Sequence, residues 1–364
     1  MKIKLILKLI LFVSGLLLIN DRLSVILSPK SFPPKVPNVN SLVDKNWLAT
    51  MRGGFYNEKP NTIDIVFIGS SKIFCNLNPN IIWNQYGITS YDFSGHMQDL
   101  GTSYYFLQQM FEKQSPKVVL IDVFLDGSGF VYNSSNAHHN FDFMNHDFIR
   151  TKAILNRSPS FTNTLELLIP TLIYHQRWKE LTQDDVFYKI NQHDFLKGSF
   201  IFMGTLSEEG ENTVITTGLP KKTLPEKTIH WINAIQELCR KNNCQCIFIN
   251  TPFLIASKVD YLDWSDVEFY AYLSAFQKYC EENDLMFMNF VGLENEIGLN
   301  YADDYSDIYH MNWKGQEKFS LYISKYLQEK FHFENKKGQP GYEQWDQDYD
   351  KMRYYIDNYF ELEQ

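Results

Sequence analysis

Thr62-Ile-Asp-Ile-Val-Phe-Ile-Gly-Ser-Ser-Lys72 is the stretch from which the fold reads outward. From Ile63 to Ile68 it is apolar except for Asp64, and Gly69 closes it. A run this short, apolar on both faces and ended by a turn residue, predicts a strand buried between two layers, as in a parallel sheet. Residues 117–124, 244–250 and 285–290 repeat the pattern, and residues 88–94 repeat it more weakly. Between these runs, residues 101–111, 229–240, 267–280 and 315–326 carry apolar side chains three and four apart, the spacing of one helix face. Strands alternating with helices predict an α/β fold with helices on both faces of a parallel sheet.

The chain has 364 residues, of which 44% are hydrophobic, enough for a substantial core. The folded domain is expected over residues 62–335. Residues 126–224 break the alternation: they are dense in aromatic residues, have one good helical stretch near 165–181, and read as an insertion at a strand's carboxyl end. Open α/β folds place ligand sites there, so the insertion is expected to form a wall or lid. Residues 336–364 are acidic and tyrosine-rich, and are expected to be helical after Tyr342 and to dock on the domain.

The N-terminus is of another kind. Lys2 and Lys4 precede an apolar stretch from Leu5 to Ile19, interrupted only by Lys8, Ser14 and Gly15. No small-x-small cleavage site follows; Asn20-Asp21-Arg22 lead into a second apolar patch, 23–27. Residues 5–27 therefore predict an uncleaved membrane anchor within a segment 1–30, with a cleaved signal peptide or a buried helix as the alternatives. The lysines at its start keep the N-terminus cytoplasmic and place the remainder outside the membrane, at the cell surface. Residues 31–61, rich in proline, asparagine and lysine, read as a linker.

Charge excludes one class of partner. Residues 1–30 hold five basic residues against one acid, so a whole-chain charge of −9 leaves −13 on the remainder. Such a domain is not expected to bind nucleic acid. The five cysteines show no paired CxxC spacing; Cys244 and Cys246 fall on one face of a strand and read as core residues. His138, His139, Asp142 and His146 match neither common helical zinc spacing and are expected in an exposed loop, so no metal and no cofactor is assigned. Phe141, Phe143, Phe195, Phe200 and Phe202 fit either core packing or contacts to a sugar or acyl chain.

Ser71 stands directly after the first strand, where a hydroxyl would be presented at the sheet's edge. Far along the chain, Asp307-Ile-Tyr-His310 precedes the last amphipathic helix. Serine nucleophiles need an imidazole within reach and a carboxylate to orient it, and a doubly wound sheet brings these two loops to one edge. Gly95, after the second strand, is the candidate to join the Ser71 N–H in an oxyanion hole.

Gly69-Ser70-Ser71 and Asp307-x-x-His310, in that order and context, resemble the first and last blocks of the SGNH (GDSL-like) hydrolase superfamily. Residues 67–79 and 307–319 are similar to membrane-anchored bacterial proteins of the DltD and alginate-acetylation type, with coverage from the anchor to about Phe331. The resemblance implies an SGNH fold, a flavodoxin-like three-layer α/β sandwich with a parallel sheet, with Ser71 as nucleophile, His310 as general base and acid, Asp307 as its orienting carboxylate and Gly95 as oxyanion donor. Ser71 rather than Ser70 is chosen because it aligns with the third position of Gly-Asp-Ser. It also implies work on acyl groups of a cell-envelope polysaccharide or similar acylated polymer, beside a membrane-bound O-acyltransferase. A non-catalytic binding or scaffolding protein of the same fold is the alternative, because Phe124-Leu-Asp-Gly127 stands where the superfamily has Gly-x-Asn-Asp.

Overall fold

Five parallel strands carry the fold: β1 (Ile65–Ile68), β2 (Ser90–Asp92), β3 (Val118–Asp122), β4 (Gln245–Asn250) and β5 (Met286–Asn289). The computed structural model describes residues 2–30, 41–42, 47–123, 132–188, 192–207, 216–254 and 266–359. The strands lie in the order β2-β1-β3-β4-β5. This is the flavodoxin-like doubly wound order, with its topological switch between β1 and β3.

Alternation along each strand explains why the runs are continuously apolar. Val66, Ile68, Val119, Ile121 and Phe248 point into one core, and Ile65, Phe67, Val118, Leu120, Ile247 and Ile249 into the other. Each of these side chains is fully buried, and each contributes about 1.5–3 kcal/mol by leaving water.

In chain order the main helices are α1 (Lys2–Leu27), α2 (Trp47–Asn57), α3 (Ser71–Phe74), α4 (Pro79–Tyr86) and α5 (Leu100–Lys113). There follow α6 (Ser134–Phe141), α7 (Phe148–Arg157), α8 (Phe161–Leu168), α9 (Glu226–Lys241), α10 (Asp266–Glu282), α11 (Trp313–Phe331) and α12 (Glu343–Asp357). Helices α5, α9 and α10 supply Phe106, Met110, Ile232, Ile235 and Phe276 to the first core. Helices α4 and α11 supply Ile82, Phe319, Ile323 and Leu327 to the second, which completes the three layers. Helix α12 packs on α4, with Trp345 tilted against Trp83 at 5.5 Å, so the C-terminal piece is helical and docked.

Two stretches differ from the sequence reading. Part of the expected linker is α2, whose side chains from Trp47 to Tyr56 are all buried. It shows no helical period because every side of it faces protein. The insertion also holds several helices instead of one, and the residues expected in an exposed loop around His138 form α6. Asn133 caps that helix by accepting from the Asn136 N–H.

Helix α1 runs unbroken through Asn20-Asp21-Arg22, and the described residues from Ile3 to Ile19, apart from half-buried Gly15, are exposed along it. It is long and apolar enough to cross a membrane, as an anchor or a signal sequence would be, and its apolar window is not buried against the body.

Candidate active site

The sheet's carboxyl edge positions Ser71 through one close approach. A Cβ on Gly69 would lie 2.4 Å from the Asp122 Cβ, so only glycine lets the end of β1 pass the end of β3. The chain then turns into α3, capped by Ser70, whose hydroxyl accepts from the Lys72 N–H at 3.3 Å and donates to the Asp122 carboxylate at 2.6 Å. Ser70 is thereby spent on structure. Ser71, the first residue of α3, keeps 8% exposure against 1% for each neighbour, and its Oγ lies 2.8 Å from His310 Nε2.

His310 and Asp307 belong to the loop that leads into α11. Asp307 Oδ1 accepts from the Tyr309 and His310 backbone N–H groups at 2.8 and 2.9 Å, which folds the carboxylate back over its own loop. Its Oδ2 then meets His310 Nδ1 at 2.8 Å. Burial opposes ionisation of Asp307, but the His310 charge and these hydrogen bonds outweigh it and hold its pKa below the usual carboxylate value. The arrangement fixes the proton on Nδ1 and leaves Nε2 as the acceptor facing Ser71. Ser71, His310 and Asp307 are thus brought together from positions 239 residues apart in the chain.

Gly95 does not stand as an oxyanion donor in this structure. The parallel ladder continues past β2: the Phe93 N–H donates to the Phe67 carbonyl at 2.8 Å, and the Gly95 N–H to the Gly69 carbonyl at 2.9 Å. The backbone hydrogen is therefore already committed. Gly95 serves close packing, since a Cβ there would lie 1.8 Å from Asn140 Oδ1 and 2.4 Å from an Arg52 nitrogen. The Ser71 N–H, at the first position of α3, makes no hydrogen bond among the described residues and remains the donor of this pair. Residues 124–127, where the superfamily's third block would fall, lie outside the described residues.

Three groups that the sequence did not single out lie around the Ser71 and His310 segments. Asn76 brackets His310: its Oδ1 accepts from the Met311 N–H at 2.8 Å and its Nδ2 donates to the Tyr309 carbonyl at 3.2 Å. Gln316 Nε2 donates to the carbonyls of Cys75 and Phe200, each at 2.8 Å. Lys72 is fully buried, with Nζ donating to Asn250 Oδ1 at 3.1 Å and to the Thr251 carbonyl at 3.2 Å. Burial outweighs the Asp122 charge and lowers its pKa to about 7.

His96, which follows Gly95, has its pKa lowered to about 4 by burial and by the His310 charge, so it stays neutral beside the His310 imidazole. Its carbonyl accepts from Asn140 Nδ2 at 2.9 Å, and from there a cleft of about 660 Å³ opens, lined by Met97, Asp99, Asn140, Arg157 and Trp231 among others. Of the aromatic residues singled out in the insertion, Phe141 and Phe143 are core, and Phe195 lies partly buried by α12. Phe202 alone of the five approaches the His310 imidazole, with its ring 5.8 Å away. His138 pairs with the Asp142 carboxylate at 2.9 Å and His146 with Asp21, and all five cysteines are free and buried.

No protein-family model matches the chain, and no curated protein matches it. Among solved structures it is similar to a Bacteroides fragilis protein described as a "putative acylhydrolase", at 14% identity and a TM-score of 0.38, covering 79% of this chain and 99% of that one. It is also similar to a GDSL-like lipase from Bacteroides thetaiotaomicron, at 13% identity and a TM-score of 0.36, covering 78% of this chain and 98% of that one. Likenesses this distant carry no argument about the site, so the chemistry rests on the hydrogen-bonded chain from Ser71 through His310 to Asp307.

Proposed function

We propose that the protein is a membrane-anchored, cell-surface serine esterase or O-acyltransferase of the SGNH type, acting on acyl groups, such as acetyl, of a cell-envelope polysaccharide or teichoic-acid-like polymer. The observation that carries this reading is the Ser71–His310–Asp307 relay, with 2.8 Å at both of its side-chain contacts. In the first half-reaction Ser71 Oγ bonds to the acyl carbon while its proton passes to His310 Nε2. The tetrahedral intermediate collapses, the ester C–O bond breaks, and His310 returns the proton to the leaving alcohol. In the second half, water or a polymer hydroxyl gives its proton to His310 and bonds to the acyl carbon; the acyl–Oγ bond breaks, and His310 returns that proton to Ser71 Oγ.

The cleft beyond Asn140 is assigned to a polymer chain; none of Ser71, His310 and Asp307 lines it, and its link to the sheet's carboxyl edge is the chain from Gly95 to Met97 and the Asn140–His96 hydrogen bond. A membrane-bound O-acyltransferase is the proposed partner, as supplier of the acyl group. One observation favours the second reading, a non-catalytic polymer-binding or scaffolding protein: the Gly95 N–H is already bonded, and one missing oxyanion donor costs about 10²–10³ in rate.

The test is labelling of the full chain by a fluorophosphonate probe, in which Ser71 Oγ bonds to phosphorus and fluoride leaves. Labelling of the native protein that vanishes in Ser71→Ala and His310→Ala supports catalysis. A native protein that resists the probe, yet still binds acylated polymer, establishes the second reading.

A further inference from the structure

The foot of α1 is fastened to the insertion at several levels. Thr171 Oγ1 donates to Asn20 Oδ1 at 2.8 Å, His146 pairs with Asp21, Arg177 donates to the Leu27 carbonyl, and Lys30 pairs with Asp185 at 3.3 Å. Below these contacts the helix is bare. Residues 3–19 span about 26 Å at the helical rise, close to the ~30 Å hydrocarbon thickness of a bilayer. Asn20, Asp21 and Arg22 then supply polar groups where the hydrocarbon ends, so the lipid–water boundary falls at the height of Thr171 and His146.

Large apolar side chains stand exposed beside those same contacts. Phe148, two residues after His146, is 80% exposed; Leu172, next to Thr171, is 52% exposed; Trp178, next to Arg177, is 66% exposed. Two exposed lysines belong to the same segments: Lys152, one turn on from Phe148 in α7, and Lys179, next to Trp178. Exposed aromatic and aliphatic residues mixed with basic ones, from the height of Asn20, where a spanning helix leaves the hydrocarbon, to that of Leu27, about 10 Å further along it, have the composition of an interfacial membrane contact.

We infer that the insertion docks on the lipid surface through Phe148, Leu172, Ile173 and Trp178, so that the catalytic domain is held against the bilayer and does not swing freely on a tether. The inference rests on the reading of α1 as a bilayer-spanning anchor. The anchor's own contacts select the occupant: lipid lies around residues 3–19, and these side chains stand at its rim.

The test uses the full chain with one added cysteine, in Phe148→Cys, Leu172→Cys or Trp178→Cys. Lys325→Cys on α11, across the sheet, serves as control. The five native cysteines are buried, so a fluorescent thiol label reports the added site. Each protein is reconstituted into vesicles of phosphatidylcholine and phosphatidylglycerol, with and without lipid spin-labelled near the headgroup. Docking predicts a loss of emission on the order of twofold at positions 148, 172 and 178, with little change at 325. Protein that floats with the vesicles but shows equal emission at all four positions overturns docking while leaving the anchor intact. Protein that fails to float overturns the anchor reading and docking with it.

Discussion

Replacing Asp307 by asparagine tests the relay with the least disturbance of its loop. The asparagine oxygen can take the place of Oδ1 and still accept from the Tyr309 and His310 N–H groups, so the backbone turn survives. The amide NH₂ then faces His310 Nδ1, formerly 2.8 Å from Oδ2, and donates to it. That moves the ring proton to Nε2, where it points at Ser71 Oγ, and the imidazole can no longer accept the hydroxyl proton. In a deeply buried triad the wrong tautomer costs about 10⁴ in rate. Here 48% of the Asp307 side chain is exposed, so water competes for the ring and the expected loss is nearer 10³, or about 4 kcal/mol of barrier. The assay is the second-order rate of fluorophosphonate labelling, with a thermal melt as the control on folding. Labelling within about tenfold of the native rate, in a variant that melts normally, would refute an orienting role for Asp307.

Two other substitutions separate structure from chemistry. Ser70→Ala removes the α3 cap and the 2.6 Å bond to Asp122, so it is expected to cost about 1–3 kcal/mol of stability while labelling at Ser71 persists; loss of labelling without loss of stability would reassign the nucleophile. Lys72 has a pKa of about 7 in the fold against an ordinary 10.5, so between those values the unfolded chain holds a proton that the folded chain has released. Its contribution therefore makes stability rise with pH from about 7 towards 10.5 and is lost as pH falls through about 7. Relative to the native protein, Lys72→Met should remove a gain of about 1 kcal/mol per pH unit in urea unfolding between pH 7 and about pH 9; an unchanged slope would show that Lys72 stays charged.

What was legible in the sequence was whatever leaves a period. Buried strands give unbroken apolar runs, and helices with one wet face give the spacing of 3.6, so the sheet and helices α5, α9, α10 and α11 emerged within a few residues of their ends. Helix α2 was hidden because burial on every side erases the period, and Gly53-Gly54 within it reads as loop. Helix α6 was hidden by its composition, Ser134-Ser-Asn-Ala-His-His-Asn-Phe141, which has the polarity of a turn although His138 and Asn140 are buried. Ser71, Asp307 and His310 were legible because each stands beside a strand or helix boundary that the pattern locates. The role of Gly95 was misread for the complementary reason. Its position was right, but a sequence does not show which carbonyl already holds its N–H.

The supporting amides show why two legible loops make one site. Ser71 sits on β1's continuation, and His310 precedes α11 in the second core, so the sheet alone sets their distance only coarsely. A relay needs registration to a few tenths of an ångström, which apolar packing, being non-directional, does not provide. Asn76 and Gln316 provide it. Asn76, two residues beyond α3, holds the backbone on both sides of His310; Gln316, on the first turn of α11, reaches back to the Cys75 carbonyl. Each of the two segments therefore lends a buried amide to the other. Because an unpaired amide in that setting costs about 1–3 kcal/mol, separating the segments would leave several groups unsatisfied at once. The closed arrangement is thus the one in which both the amides and the triad are paired, and the distance from Ser71 to His310 is fixed by hydrogen bonds that take no part in the chemistry.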